Sequence, residues 1–168
     1  MKYVLVLALW FGLNCHARII EGQVVGVADG DTITVLDGEK VRHKIQLSGI
    51  DATEKKQDFG SRSKQSLSDL VFEKAVAVEI DKTDRYGRAV GTVLVNGLDA
   101  NLEQLQRGFA WHYKAYQREQ SAKNRKLYDF AESTARAARR GLWRDANPEP
   151  PWDYRQQRRK PSVIDTLN

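Results

Sequence analysis

Three short apolar segments between residues 19 and 47, separated by two acidic-glycine turns, constrain this chain more than any other feature. Ile19 to Val27 is rich in β-branched residues and stops at Ala28-Asp29-Gly30. Thr32 to Leu36 resumes the pattern, and Asp37-Gly38 is a hairpin signal. In the third segment Val41, His43, Ile45 and Leu47 alternate with Arg42, Lys44 and Gln46. A period of two means one apolar and one polar face, so the three segments form a β-meander.

The rest of the chain alternates strands with helices. Ser48 to Gln57 reads as a loop, and Phe59 to Phe72 as a helix with Leu67, Leu70 and Val71 at helical spacing. Ala75 to Ile80 is a short strand, Asp81 to Gly87 a charged turn, and Arg88 to Val95 a strand closed by Asn96-Gly97. Asn101 to Arg107 is a short helix with Leu102 and Leu105 inward, and Gly108 stands where a helix-terminating glycine belongs. Gln117 to Arg139 reads as a longer helix whose buried stripe is Leu127, Phe130, Ala131, Thr134 and Ala138. Gly141 ends it, and Leu142-Trp143 docks back on the core. Beyond lie Pro148, Pro150 and Pro151, then Arg155, Arg158, Arg159 and Lys160, which together read as an extended or disordered basic tail over 145–168. Five strands with interspersed helices predict an α+β fold built on a small closed barrel. On pattern alone, sandwiches and SH3-like barrels satisfy the same spacing.

The N-terminus has a separate character. Lys2 precedes the apolar run Tyr3 to Leu13, and Cys15-His16-Ala17 places a small residue at a cleavage position. This is the pattern of a secretory signal over 1–17, too short for a membrane span of about 20 residues. A lipoprotein signal on Cys15 fits less well, because Asn14 stands where a small residue is usual; a first buried strand is the other alternative. Export predicts a periplasmic or secreted protein without stable membrane association. Cys15 is the only cysteine, so the mature chain would form no disulfide. The 168 residues suit one domain, 18–144, able to pack a core without a staple. No oligomer signature is visible, which predicts a monomer. The formal charge of +5, or +4 once Lys2 is removed, is compatible with a polyanionic partner without demanding one.

Chemistry-bearing residues cluster at four places: Asp29-Gly30-Asp31-Thr32, Gly49-Ile50-Asp51-Ala52-Thr53-Glu54, Thr83-Asp84-Arg85-Tyr86-Gly87-Arg88, and Trp111-His112-Tyr113-Lys114-Ala115-Tyr116. Each alone reads as turn chemistry or a solvated edge. Together they supply what hydrolysis of a phosphodiester needs. The phosphate repels an attacking hydroxide, and a hard divalent cation held by carboxylate and carbonyl oxygens offsets that charge. Asp31 and Asp51, at the ends of neighbouring strands, are the carboxylate pair. Glu54 is placed to hold or deprotonate a water, and Arg88 to grip the phosphate.

The ordered set Asp-Gly-Asp-Thr, Gly-Ile-Asp-x-x-Glu and Asp-x-Tyr-Gly-Arg, with Gly-Leu-Trp near the end, resembles the staphylococcal nuclease family over about residues 19–144. The resemblance implies a five-stranded OB-fold barrel with three α-helices. It also implies calcium-dependent cleavage of DNA and RNA at the 5′ P–O bond, leaving 3′-phosphates. By the same resemblance, Asp31, Asp51 and the Ala52 backbone bind calcium, Glu54 activates water, and Arg88 assists the leaving oxygen. Arg85, Tyr86, Tyr113 and Tyr116 contact the nucleotide.

Two positions depart from the family pattern. Thr53 replaces a proline, which should loosen the loop. Gln46 stands where the family has a second catalytic arginine. Losing one transition-state donor costs about 3–4 kcal/mol, and Lys44 and Arg42, on the same strand face, are candidates to restore the charge. The competing expectation is therefore a catalytically weakened OB-fold module that binds nucleic acid without cutting it. An exported interaction domain unrelated to nucleic acid is a third.

Overall fold

The computed structural model describes residues 18–159. The leader-like segment 1–17 lies outside the described residues, as do 160–168. The meander forms as expected: β1 (Arg18–Val27), β2 (Thr32–Asp37) and β3 (Arg42–Leu47) pair antiparallel in order. The segment Ser48 to Gln57 is not wholly loop, since Ile50–Ala52 forms a short strand, β4. After α1 (Gly60–Val71) come β5 (Ala75–Thr83), β6 (Ala89–Val95) and β7 (Leu98–Asp99), then α2 (Ala100–Gln106) and β8 (Ala110–His112). β5 runs into the stretch read as a charged turn, and the turn proper is confined to residues 84–88.

The sheet order is β3-β2-β1-β5-β6-β7, and parallel pairing of β3 with β6 closes β1, β2, β3, β5 and β6 into the expected barrel. Bulges between Val24 and Gly26 and between Ile80 and Lys82 give the curvature that closure needs. β4 pairs antiparallel with β8 beside the barrel, setting Asp51 opposite Trp111.

Val24, Ile33, Val35, Ile45, Val78 and Val93 fill the barrel with no exposed surface, and α1 and α2 cover it with Leu67, Val71 and Leu105. A second apolar cluster joins Trp111, Ala135, Leu142 and Trp143, so Leu142-Trp143 does dock on the core. Gly108 ends α2 with φ +74°, a conformation side chains disfavour; an added Cβ there would also meet the Arg140 carbonyl.

Two expectations fail in instructive ways. The segment from Gln117 is not one helix. A 3-10 helix over Lys114–Glu119 precedes α3 (Ala122–Ala137), which is capped by Ser121, whose hydroxyl accepts from the Asn124 N–H. The buried face of α3 is Tyr128, Ala131, Glu132 and Ala135, while Leu127, Phe130, Thr134 and Ala138 face outward. Polar partners set this register. The Tyr128 hydroxyl donates to Asp99, and buried Glu132 accepts the His112 N–H. The second failure is the tail, where Pro151–Arg159 forms a fourth helix, α4. Pro151 begins it, at the position where a missing N–H costs nothing, and is buried. Asp153 in the first turn and Arg158 and Arg159 in the last suit the helix dipole.

Candidate active site

A cavity of about 680 Å³ opens at one end of the barrel. Its lining includes Asp31, Gln46, Asp51, Ala52, Glu54, Arg85, Tyr86, Arg88, Tyr113 and Tyr116. The carboxylates, Gln46, the two arginines and the three tyrosines given site roles in the sequence therefore come to one place, although the contributing segments span 86 positions of chain.

Asp31 sits in the turn between β1 and β2. The turn needs Gly30: a Cβ there would lie 1.8 Å from Ser63 Oγ on α1 and 2.7 Å from the Ala52 side chain. Buried Gln104 on α2 clamps the same turn, donating to the Gly30 and Ser63 carbonyls while accepting from the Ser66 hydroxyl. Asp31 is 6% exposed. Its Oδ2 accepts the Ala52 N–H at 2.8 Å, and the Thr32 hydroxyl lies 3.1 Å from both Asp31 Oδ1 and Gln46 Oε1. Burial pushes the Asp31 carboxyl well above the usual carboxylate range, with the charges of Asp29 and Asp51 adding to the rise.

Asp51, on β4, is equally buried. Burial raises its pKa, and the Arg155 guanidinium offsets part of the rise. Arg155 Nη1 and Nη2 hold both Asp51 oxygens, at 3.0 and 2.6 Å, and Nη1 also donates to Glu54 Oε1 at 2.9 Å. The Thr53 replacement does not leave the loop unheld. Gln57 accepts the Glu54 N–H and donates to the Glu149 carbonyl, tying the loop to the segment before α4.

Arg88 is fixed by its own turn. Asp84 accepts from the Tyr86 and Arg88 N–H groups and from Arg88 Nε at 2.7 Å. Arg88 Nη1 donates to Gln46 Oε1 at 2.6 Å, so Gln46 orients the arginine from the neighbouring strand. Lys44 and Arg42 are not among the residues that line the cavity. Their positions farther along β3 carry them away from its open end. Tyr86 is exposed beneath Arg85, with 4.8 Å between guanidinium and ring. Tyr113 and Tyr116 lie 5.1 Å apart.

Among the described residues no three His, Cys, Asp or Glu side chains are arranged as a metal cage. The oxygens present nevertheless suit a hard cation. Asp31 is a buried carboxylate whose oxygens take only neutral donors among the described residues, and the buried Thr53 hydroxyl, without a partner, lines the same cavity. Such a pair would need backbone oxygen and water to complete a coordination sphere.

The sequence reading missed Arg155, and with it Arg159, Trp152 and Gln57. The available signal was Pro151 at a helix start followed by Trp152, Arg155 and Arg159 at spacings of three and four, which is one face of a helix.

The family description "Staphylococcal nuclease homologue" matches residues 44–145. An "Uncharacterized endonuclease" of Escherichia coli O157:H7 is 38% identical over 158 residues, covering 94% of this chain and 99% of that protein. A second "Uncharacterized endonuclease", from Haemophilus influenzae, is 40% identical over 135 residues, 80% of this chain and 72% of its own. A "Micrococcal nuclease" of Shigella flexneri is 38% identical over 144 residues, 80% of each. With the barrel, the clustered carboxylates and arginine, and likeness at this level over most of its length, the chain belongs to the staphylococcal nuclease homologues, a family of nucleases.

Proposed function

We propose that this nuclease is an exported, calcium-dependent endonuclease that hydrolyses phosphodiester bonds of both DNA and RNA, leaving 3′-phosphates. The observation that carries the reading is the meeting of buried Asp31 and Asp51 with Glu54 and Arg88 in one open cavity. Carboxylates beside a phosphate site repel the ligand unless a cation joins them, so binding alone gives no reason for them. A calcium held by Asp31, Asp51 and the Ala52 backbone would supply positive charge against the phosphate.

The protein's own groups do the rest. Glu54 takes the proton of the attacking water. Arg88, held by Asp84 and Gln46, donates to the phosphate and to the departing 5′ oxygen. Arg85, Tyr86, Tyr113 and Tyr116 surround the flanking nucleotide, where aromatic faces accept any base.

The test is cleavage of plasmid DNA and of RNA by the mature protein with calcium, with magnesium, or with a chelator. Calcium-dependent degradation of both, abolished by Glu54→Ala, is the expected result. A shifted but intact plasmid would replace this reading with that of a binding module, which Gln46 favours by withholding an arginine.

A further inference from the structure

Helix α4 carries a cation into the cavity that the barrel does not supply. Arg155 lies in the pocket, and Arg159, one turn further on the same face, also lines it. The helix is anchored. Trp152 stacks on Tyr113, with ring centroids 5.7 Å apart and planes 17° from parallel, and meets Trp111 edge-on at 5.5 Å. Pro151 is buried, and Gln57 binds the chain just before the helix at 2.6 Å. The family match ends at residue 145, before this element begins.

How the guanidinium is used matters more than its presence. A guanidinium offers two forks for paired acceptors, one end-on from Nη1 and Nη2, the other side-on from Nε and Nη2. Arg155 spends the end-on fork on Asp51 and the second Nη1 hydrogen on Glu54. Among the described residues, Nε and the remaining Nη2 hydrogen have no acceptor, which leaves the side-on fork open in a cavity where its side chain is 34% exposed. Such a fork matches two oxygens of one phosphate. The barrel's own candidate for a second guanidinium position, Gln46, is neutral, and its Oε1 is taken by Arg88.

We propose that Arg155 is a second phosphate-gripping arginine of the cleavage reaction, presented to the scissile phosphate by α4. This rests on the nuclease reading above. Asp51 and Glu54 aim the guanidinium, and Arg155 in turn holds those two carboxylates in place. Charge that builds on the phosphoryl oxygens in the transition state then meets Arg88 from one wall and Arg155 from the other.

The experiment compares wild type, Arg155→Ala, Arg155→Lys, Trp152→Ala and Arg155→Ala with Gln46→Arg. Cleavage kinetics are measured with calcium. Binding of a cleavage-resistant single-stranded phosphorothioate oligonucleotide is measured by fluorescence anisotropy, and near-UV circular dichroism reports the docked tryptophans. Arg155→Ala should lower kcat about 100-fold. Arg155→Lys, which keeps the charge and loses the fork, should recover only part of the rate with α4 still docked. Trp152→Ala, which undoes the stack, should follow Arg155→Ala, and Gln46→Arg should restore at least about tenfold of the loss.

If Arg155→Ala cuts as fast as wild type or faster, α4 is a bystander or a plug; the proposal falls and the nuclease reading stands. A loss that Gln46→Arg leaves untouched, with the tryptophan signal gone, makes Arg155 a structural residue and also overturns it. If wild type does not cut at all, the nuclease reading fails, and oligonucleotide binding decides. Binding weakened in Arg155→Lys would keep the arginine as a phosphate contact, whereas unchanged binding would remove it.

Discussion

Asp31 shows what burying one carboxylate does to stability. Its carboxylate is buried with the charges of Asp29 and Asp51 nearby, and among the described residues it receives only neutral donors, so ionising it opposes folding. Because its folded pKa is raised, the penalty is absent at low pH and grows as pH rises through that value. Asp31→Asn keeps an acceptor for the Ala52 N–H and removes the buried charge. In chelator at pH 8, urea unfolding should show the variant more stable than wild type, with the difference shrinking as pH is lowered. Cleavage should fall at least about 100-fold, as expected when a group that acts in the transition state is lost. A variant less stable than wild type would mean that burial does not penalise this carboxylate. Asp31 was legible because turn chemistry is local: Asp-Gly-Asp-Thr announces itself in four adjacent letters. Arg155 was not, because its meaning depends on Asp51, which lies 104 positions earlier.

At the scale of elements, what the sequence concealed is explained by polar atoms rather than apolar ones. Periodicity located α3 but misjudged its rotation by about one residue, since it counted Leu127 and Phe130 as core. The structure instead buries Tyr128 and Glu132, whose oxygens find Asp99 and the His112 N–H, and leaves Phe130 71% exposed. Satisfying buried polar groups outweighed hiding one more phenyl ring. The consequence is measurable by denaturant unfolding. Phe130→Ser should change stability by no more than about 0.5 kcal/mol. Tyr128→Ala, which empties a buried aromatic site and removes the donor to Asp99 Oδ2, should cost about 3–5 kcal/mol. Equal costs for the two would restore the periodicity reading. The same lesson covers α4. Prolines read as breakers mark a helix start when one of them falls at the first helical position, and only a docking surface such as the Tyr113 ring decides which.

For the whole molecule, the site exists only if the barrel closes, and closure rests on a narrow seam. β3 meets β6 over just Ile45–Ala89, Gln46–Val90 and Leu47–Gly91, and this seam sets Gln46 near Arg88. Fully buried Asn101, on α2, reinforces it from inside. Its amide donates to the Ser48 carbonyl at 2.9 Å and the Gly91 carbonyl at 3.1 Å, and its Oδ1 accepts the Val93 N–H. The five strands were legible because each has its own alternation. The seam was not, because a parallel pairing between strands so far apart in the chain leaves no local signal. Asn101→Ala would leave buried backbone groups without partners, so stability should drop by about 3 kcal/mol in denaturant unfolding. Amide exchange should quicken at Val93 and along β3 while β1 and β2 stay protected. Cleavage should weaken even at temperatures where the variant is fully folded, because Gln46 and Arg88 sit on opposite lips of the loosened seam. Full activity in a destabilised Asn101→Ala would instead mean that Asp84 alone positions Arg88, and that closure serves the core rather than the site.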